Sequence, residues 1–375
     1  MTSSKIKLYH WLTPLSVIYG AGGYFRNKLF DFGILKSEVF DIPVICVGNI
    51  AVGGTGKTPH IEFLIRLLQP HYKVAVLSRG YKRKSKGFQL SNPDSTPAQL
   101  GDEPYQIFSK FPGIIVAADA DRRNGIRQLM ALTSKPEVIL LDDAYQHRYV
   151  KAGLNILLTD YHRKIYEDKI LPAGRLRESM SGIKRADLAI VTKCPNNLKP
   201  DDTDEIERKM GLKESQPLFF SGLHYGELRP VFPSISADER NNLPSHLKND
   251  EREHMEFTKE TEVLMVTGIA QPKLLQTYLK EQYTLKEQLI FPDHHNFTKN
   301  DIQQIDAKFS NLKNKQKCII VTEKDAVRLQ HNPYLTPSLK KNMYFLPLEV
   351  VILQNQTKRF NQIILDYVAK NQRNS

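Results

Sequence analysis

Short apolar runs that stop at turn residues recur along the first half of the chain. "IPVICVGN", "KVAVLSRG", "GIIVAAD", "EVILLDD", "LNILLTD" and "ADLAIVTK" are apolar throughout rather than alternating. Such runs indicate parallel strands covered on both faces, and helix-like patterns follow them at the spacing of β-α units. The series accounts for residues up to about Cys194. "PNNLKPDDTDEIERKMG" then predicts one surface helix, and "PLFFSGLHYGELRPVF" reads as extended chain connecting two lobes. The stretch 234–260 is charged and lacks periodicity, which predicts loop or disorder. A second, shorter β-α series follows in "VLMVTGIAQP", "YTLKEQLIFPDHH", "CIIVTEKDAVRL" and "NMYFLPLEVVI", and "QTKRFNQIILDYVAKNQ" predicts a terminal amphipathic helix. The expected division is a lobe of residues 1–217 and a smaller lobe of residues 218–375.

The N-terminus breaks this pattern. "WLTPLSVIYGAGGYF" carries no charge, with Lys5 and Lys7 before it and Arg26 and Lys28 after it. A helix over about residues 8–30 would put Trp11, Leu15, Ile18, Phe25 and Leu29 roughly on one face. Basic flanks beside an apolar face suit a helix lying in a membrane interface. Packing against its own domain is the competing reading, and both hold if different faces do different work. A signal peptide is disfavoured by the nucleotide site described below.

The chain has 375 residues, with 53 Lys and Arg against 41 Asp and Glu, or +12. That balance points to a polyanionic partner: nucleic acid, a nucleotide or an anionic membrane. Nucleic acid is disfavoured, because no zinc spacing, RNA-binding aromatic motif or helix-turn-helix pattern accompanies the charge. The three cysteines, Cys46, Cys194 and Cys318, are odd in number and far apart, which fits reduced, buried thiols.

"VGNIAVGGTGKTPH" carries the chemistry. It closes as a phosphate loop with Gly56, Lys57 and Thr58, although Ala51 stands where the pattern G-x-x-x-x-G-K-[ST] opens with glycine. An apolar strand leads in and a helix pattern leads out. Gly53, Gly54, Thr55 and Gly56 would turn backbone N–H groups toward the phosphates. Lys57 would bridge the β- and γ-phosphates, and Thr58 would ligate Mg²⁺. Asp142 and Asp143 end the strand "VILLDD", where the metal-side carboxylate of such a site belongs. Gln146 and His147 follow closely enough to reach the same crevice. "VTKCPN" has Pro195 where a guanine-reading Asp would stand, so ATP is expected over GTP.

Eight blocks, "VGNIAVGGTGKTP", "LSRGYKRKSKG", "GDEPYQIF", "LLDDAYQHR", "LPAGRLRES", "VTGIAQP", "FPDHHNFT" and "VTEKDAVRL", occur in the order of the tetraacyldisaccharide 4'-kinase family, the lipid A 4'-kinases, which the chain resembles from about residue 8 to residue 350. The resemblance implies an α/β fold: a P-loop NTPase-like, mostly parallel sheet with helices on both faces, plus a smaller α/β/α lobe joined by a β hinge. It implies transfer of the γ-phosphate of ATP to the 4'-hydroxyl of a tetraacyldisaccharide 1-phosphate, with Mg²⁺. It also implies peripheral or monotopic attachment to the cytoplasmic face of the bacterial inner membrane. The acceptor is a lipid A precursor, and no obligate protein partner is expected.

The same resemblance implies that Asp102 of "GDEP" is the catalytic base, with His294 of "FPDHH" as its partner. Read from the residues alone, Asp102 is more readily a helix cap than a base, and His295 competes with His294. Arg79, Tyr81, Arg122, Arg177 and Glu178, with Gln146 and His147, are the candidate substrate contacts. Lys82, Arg83, Lys84, Lys86, Arg123 and Arg175 are further basic positions on the same loops. The alternative function is a P-loop ATPase or GTPase switch or assembly factor with no lipid acceptor. Substrate dependence distinguishes the two.

Overall fold

The computed structural model describes residues 9–81, 83–232, 256–269, 272–293 and 295–372. The chain divides into two units. The first comprises residues up to His224 together with Glu349 onward, and the second runs from Tyr225 to Leu348.

The first unit is built on β1 (Val44–Gly48), β2 (Val74–Ser78), β3 (Gln89–Leu90), β4 (Ile115–Ala118), β5 (Val138–Asp142), β6 (Leu154–Asp160), β7 (Leu188–Thr192), β8 (Leu218–Tyr225) and β14 (Leu348–Ile352). Their order is β14-β8-β7-β6-β1-β5-β2-β4-β3. The pairs from β4 through β8 are parallel, as the uniformly apolar runs predict, and only β3 on β4 is antiparallel among the registers resolved. Alternate residues of each strand serve opposite faces. Cys46, Leu77 and Leu141 pack with Ile126 of helix α5 (Arg122–Met130) and Ile206 of helix α6 (Pro200–Met210). Ile45, Val76 and Leu140 pack with Ile61 and Leu64 of helix α2 (Lys57–Leu68) and Ile107 of helix α4 (Asp102–Lys110). Helix α3 (Pro97–Leu100) is a single turn leading into α4.

The second unit carries β9 (Arg229–Pro230), β10 (Glu262–Thr267), β11 (Thr284–Ile290), β12 (Lys317–Thr322) and β13 (Met343–Leu346), in the order β11-β10-β12-β13-β9. β11, β10, β12 and β13 are mutually parallel, and β9 is antiparallel to β13. Helix Lys273–Gln282 covers one face through Leu275 and Leu279. Helices Lys299–Ser310 and Glu323–Gln330 cover the other through Ile305 and Leu329.

The units differ from the expected division at 217/218 in two respects. β8 belongs to the first sheet. The run "NMYFLPLEVVI" splits, so that β13 lies in the second sheet and β14 in the first. The terminal helix Thr357–Gln372 therefore packs on the first unit. Phe360 is 1% exposed against Phe219, with ring centroids 5.1 Å apart, and Tyr367 Oη donates to the Val44 carbonyl at 3.0 Å. Nothing in the helix's own periodicity reveals which of two apolar sheets it covers. Most of the 234–260 stretch lies outside the described residues. All three cysteines are free and buried, and burial pushes each thiol up to about 12.

Candidate functional site

The Gly-rich loop joins the carboxyl end of β1 to α2. Gly56 caps α2 at φ 83°, ψ 24°, a left-handed conformation that a side chain would strain. Helix N-terminal N–H groups, unpaired within the helix, therefore face the loop opening. Backbone bonds fix the outer edge of the loop. Val52 N–H donates to the Arg175 carbonyl at 2.8 Å and Arg177 N–H to the Ile50 carbonyl at 2.7 Å, with Ala51 and Leu176 forming an antiparallel bridge.

Lys57 and the two aspartates meet at this edge, because β1 and β5 are neighbours in register. Lys57 Nζ lies 3.6 Å from Asp143 Oδ2, and Arg177 Nη1 lies 3.5 Å from Asp143 Oδ1. Asp143 itself sits at φ 49°, unusual for a non-glycine residue. Asp142 is buried, and Ser78 Oγ donates to its Oδ2 at 3.3 Å, while its Oδ1 is buried without a hydrogen bond. Burial, then the charges of Glu103 and Asp143, raise the Asp142 pKa to about 7 against the pull of Lys57 and Arg122. A buried carboxylate oxygen without a hydrogen-bond partner is what a bound cation would satisfy.

The other flank is held by residues that sequence reading did not select. Lys193, at the end of β7, donates to the Gly54 carbonyl and pairs with Asp160 Oδ2 at 2.7 Å, its side chain 9% exposed and that of Asp160 6%. Thr192 Oγ1 donates to the Thr55 carbonyl at 2.9 Å, and Asn49 Nδ2 donates to Thr55 Oγ1 at 2.8 Å. His60 bridges the Gly56 carbonyl (2.7 Å from Nδ1) and Ser221 Oγ (3.0 Å from Nε2). Burial lowers its pKa to about 4, so the ring is neutral. The run "VTK" was visible, but only as a test of base preference. That its lysine braces the loop depends on strand order.

Asp102 is the first residue of α4, half-buried, with Gly101 as the cap. A Cβ on Gly101 would lie 3.0 Å from Gly80 Cα, so the "SRGY" and "GDEP" loops touch through glycines. Glu62, 1% exposed, accepts from Gln106 Nε2 at 3.1 Å and Lys110 Nζ at 2.6 Å, binding α4 to α2 so that Asp102 and Lys57 begin neighbouring helices. Arg79 and Tyr81 are exposed beyond β2. Arg122 is buried, donates to the carbonyls of Asp119 and Ala120, and acts electrostatically on Asp142.

Gln146 is a junction. Its Nε2 donates to the Asn49 carbonyl and to Glu178 Oε1, and its Oε1 accepts from Arg177 at 3.2 Å. Glu178 is buried and also receives Arg185 at 2.8 Å and Asn27 at 3.2 Å, so it braces the site from within. His147 Nε2 lies 3.9 Å from Asp121, and burial lowers the His147 pKa to about 4. The structure thus gathers Gly53, Gly54, Thr55, Gly56, Lys57, Thr58, Asp142, Asp143, Gln146, Arg177 and Glu178 around one loop. Arg79 follows the end of β2, and Asp102 and Arg122 begin α4 and α5.

Comparison with known proteins agrees. The sequence profile for LpxK, tetraacyldisaccharide-1-P 4'-kinase, matches residues 8–369. The chain belongs to the tetraacyldisaccharide-1-P 4'-kinase family. A tetraacyldisaccharide 4'-kinase of Bacteroides thetaiotaomicron is 52% identical over 380 residues, covering 100% of this chain and 97% of the relative. One from Flavobacterium johnsoniae is 46% identical, covering 96% and 97%. A crystal structure of LpxK from Aquifex aeolicus in complex with ATP aligns with a TM-score of 0.70 at 29% identity, over 96% of this chain and 99% of that one.

In the second unit, the family's "FPDHH" block is described except for His294, which lies outside the described residues, as does Lys82 of "SRGYKRKSKG". His295 is described. Its Nε2 is 2.9 Å from Asp301 Oδ2, and its ring stacks on Phe291 at 4.6 Å. Both interactions commit it to holding the loop. Asp325 of the "VTEKDAVRL" block is fully buried and accepts from Thr267 Oγ1, Gly268 N–H and Thr322 Oγ1, tying that block to "VTGIAQP".

The N-terminal helix α1 spans Thr13–Asp31 after a 3-10 turn at His10–Leu12. Its pattern is inverted. Ser16 and Phe30 are buried and Asn27 half-buried, whereas Trp11 (77% exposed), Leu15, Val17, Ile18, Tyr19, Tyr24 and Phe25 face outward. The predicted apolar face is exposed except for Leu29, which is half-buried. No helix among the described residues is long and apolar enough to cross a membrane.

Proposed function

We infer that the protein is an ATP-dependent phosphotransferase that moves the γ-phosphoryl group to the 4'-hydroxyl of a tetraacyldisaccharide 1-phosphate, a lipid A precursor. The observation that carries this is the junction of Lys57 with Asp143, 3.6 Å apart, at the mouth of a glycine loop capped by the α2 N-terminus in a chain of this family. Phosphoryl transfer asks chiefly for alignment and charge neutralisation. Loop N–H groups and Lys57 hold the β- and γ-phosphates. Thr58 and Asp142, with Asp143 beside them, would hold Mg²⁺, which suits hard oxygen donors and needs few protein ligands. When bound, Mg²⁺ neutralises developing phosphate charge.

Asp102 takes the proton of the attacking hydroxyl, with His294 as its partner by family resemblance. Arg79, Tyr81, Gln146, His147 and Arg177 serve the anionic disaccharide, whereas Arg122, expected from the sequence as a further contact, is buried on backbone carbonyls and acts through Asp142. Glu178, buried, keeps Gln146 and Arg177 in place.

The acceptor's acyl chains require a lipid surface. The outward apolar residues of α1, with Arg26 and Lys28 following, support peripheral attachment of this helix to the cytoplasmic face of the inner membrane. The decisive assay is labelled ATP, Mg²⁺ and the disaccharide 1-phosphate in mixed micelles. A bisphosphorylated product is expected. ATP hydrolysis indifferent to the lipid would instead favour a nucleotide-driven switch.

A further inference from the structure

Arg175 is a basic residue that the site as described does not use. Its backbone is pinned from both sides. Its N–H donates to Asp168 Oδ1 at 3.1 Å, and its carbonyl receives the Val52 N–H of the glycine loop at 2.8 Å. The next residue, Leu176, bridges Ala51 and donates its N–H to the Lys169 carbonyl at 2.9 Å. Gly174 lets this turn close, since a Cβ there would fall 2.2 Å from the Lys169 carbonyl oxygen. The peptide carrying Arg175 is thus stitched onto the phosphate loop through an isolated antiparallel bridge and its flanking backbone bonds.

The side chain behaves differently from the backbone. It is exposed, and among the described residues its guanidinium has no hydrogen bond or ion pair. It lies beside Gly53: a methyl group on that glycine would sit 3.7 Å from Arg175 Nη1. The neighbouring cations are engaged elsewhere. Lys57 and Arg177 lie against Asp143, and Arg122 is buried on backbone carbonyls. Gly53 is three residues before Gly56, in the part of the loop whose backbone wraps the terminal phosphates. A free, planar cation at that spot has the geometry to reach oxygens of the β- and γ-phosphates.

We propose that Arg175 is a catalytic arginine supplied in cis, closing over the glycine loop to neutralise charge on the transferring γ-phosphoryl group of ATP. The proposal rests on the kinase reading above. In the step it serves, the bond from the γ-phosphorus to the β–γ bridging oxygen breaks and leaves ADP. The sugar oxygen forms the new bond, and its proton goes to the base. Arg175 exchanges no proton, and its fixed positive charge matters most where negative charge spreads over the departing and transferring oxygens. Its anchorage makes the reach short, because the backbone does not have to move.

The test is steady-state kinetics of the full-length enzyme with Mg²⁺, ATP and the disaccharide 1-phosphate, beside a direct ATP-binding titration. Wild-type protein must first yield bisphosphorylated product. If it does not, the kinase reading fails, independently of Arg175. R175A is expected to lower kcat by on the order of 10³ while leaving the Kd for ATP within about threefold. R175K is expected to recover little, because an ammonium cannot bridge two oxygens, and it carries the same readout if R175A folds poorly. Guanidinium ion added at millimolar level is expected to restore part of the R175A turnover, which a scaffolding role would not allow. A kcat within about tenfold of wild type, or a loss matched by an equal rise in the Kd for ATP, overturns the proposal.

Discussion

Asn27 on the N-terminal helix donates to Glu178 Oε2 at 3.2 Å, and Glu178 Oε1 receives Gln146, whose amide also holds the Asn49 carbonyl at the entrance to the glycine loop. The helix that turns its apolar side outward is therefore two hydrogen-bonded side chains away from the loop. Arg26 adds a second link, donating to the Gln146 carbonyl at 2.7 Å. The helix and the glycine loop both belong to the first unit.

The exposed face of α1 can be separated from its buried face. The double variant Ile18→Glu, Phe25→Glu places charge at two outward positions. Co-sedimentation with anionic vesicles should drop several-fold, and turnover on the lipid should drop with it, while ATP affinity and the melting temperature stay near wild type. Undiminished sedimentation would assign the outward apolar face to something other than lipid.

Lys193 and Asp160 form a pair almost closed to water. Removing one member leaves the other charged, buried and unpaired. Lys193→Met should therefore cost about 3–5 kcal/mol in chemical denaturation and raise the KM for ATP, since the Gly54 carbonyl also loses its donor. Adding Asp160→Asn should return a good part of the stability but not the KM. Equal stability of the single and double variants would contradict a buried-charge cost.

His60 makes stability depend on pH. Its folded pKa is about 4, against an unfolded value near 6.5. Between these values the unfolded chain binds a proton that the native state refuses. Stability is therefore complete above about pH 6.5 and declines as pH falls toward 4, by roughly 3 kcal/mol at the full shift. His60→Asn retains a donor for the Gly56 carbonyl but cannot titrate. Its melting temperature should lose less than wild type's between pH 7 and pH 4.5, and parallel curves would remove His60 as the cause.

For Asp102 and His294, single alanine variants should each lose most turnover while binding ATP normally. Near-normal turnover in both would dismiss the pair. His295→Ala should act differently, lowering stability through the lost Asp301 bond and Phe291 stacking. A fall in turnover at full stability would move the catalytic role to His295.

Local pattern determined much of this protein. Uniformly apolar runs specify parallel strands because both faces must be covered. Gly56-Lys57-Thr58 between such a run and a helix specifies the loop, and the sparsely charged stretch before Arg26 specifies the exposed face of α1. Tertiary structure alone decided that Thr357–Gln372 covers the first sheet, that Lys193 reaches Asp160 and Gly54, and that Glu178 is an internal brace. Each of these is a meeting of residues remote in sequence. Periodicity fixes which side of an element is apolar, but strand order and register fix what stands opposite it.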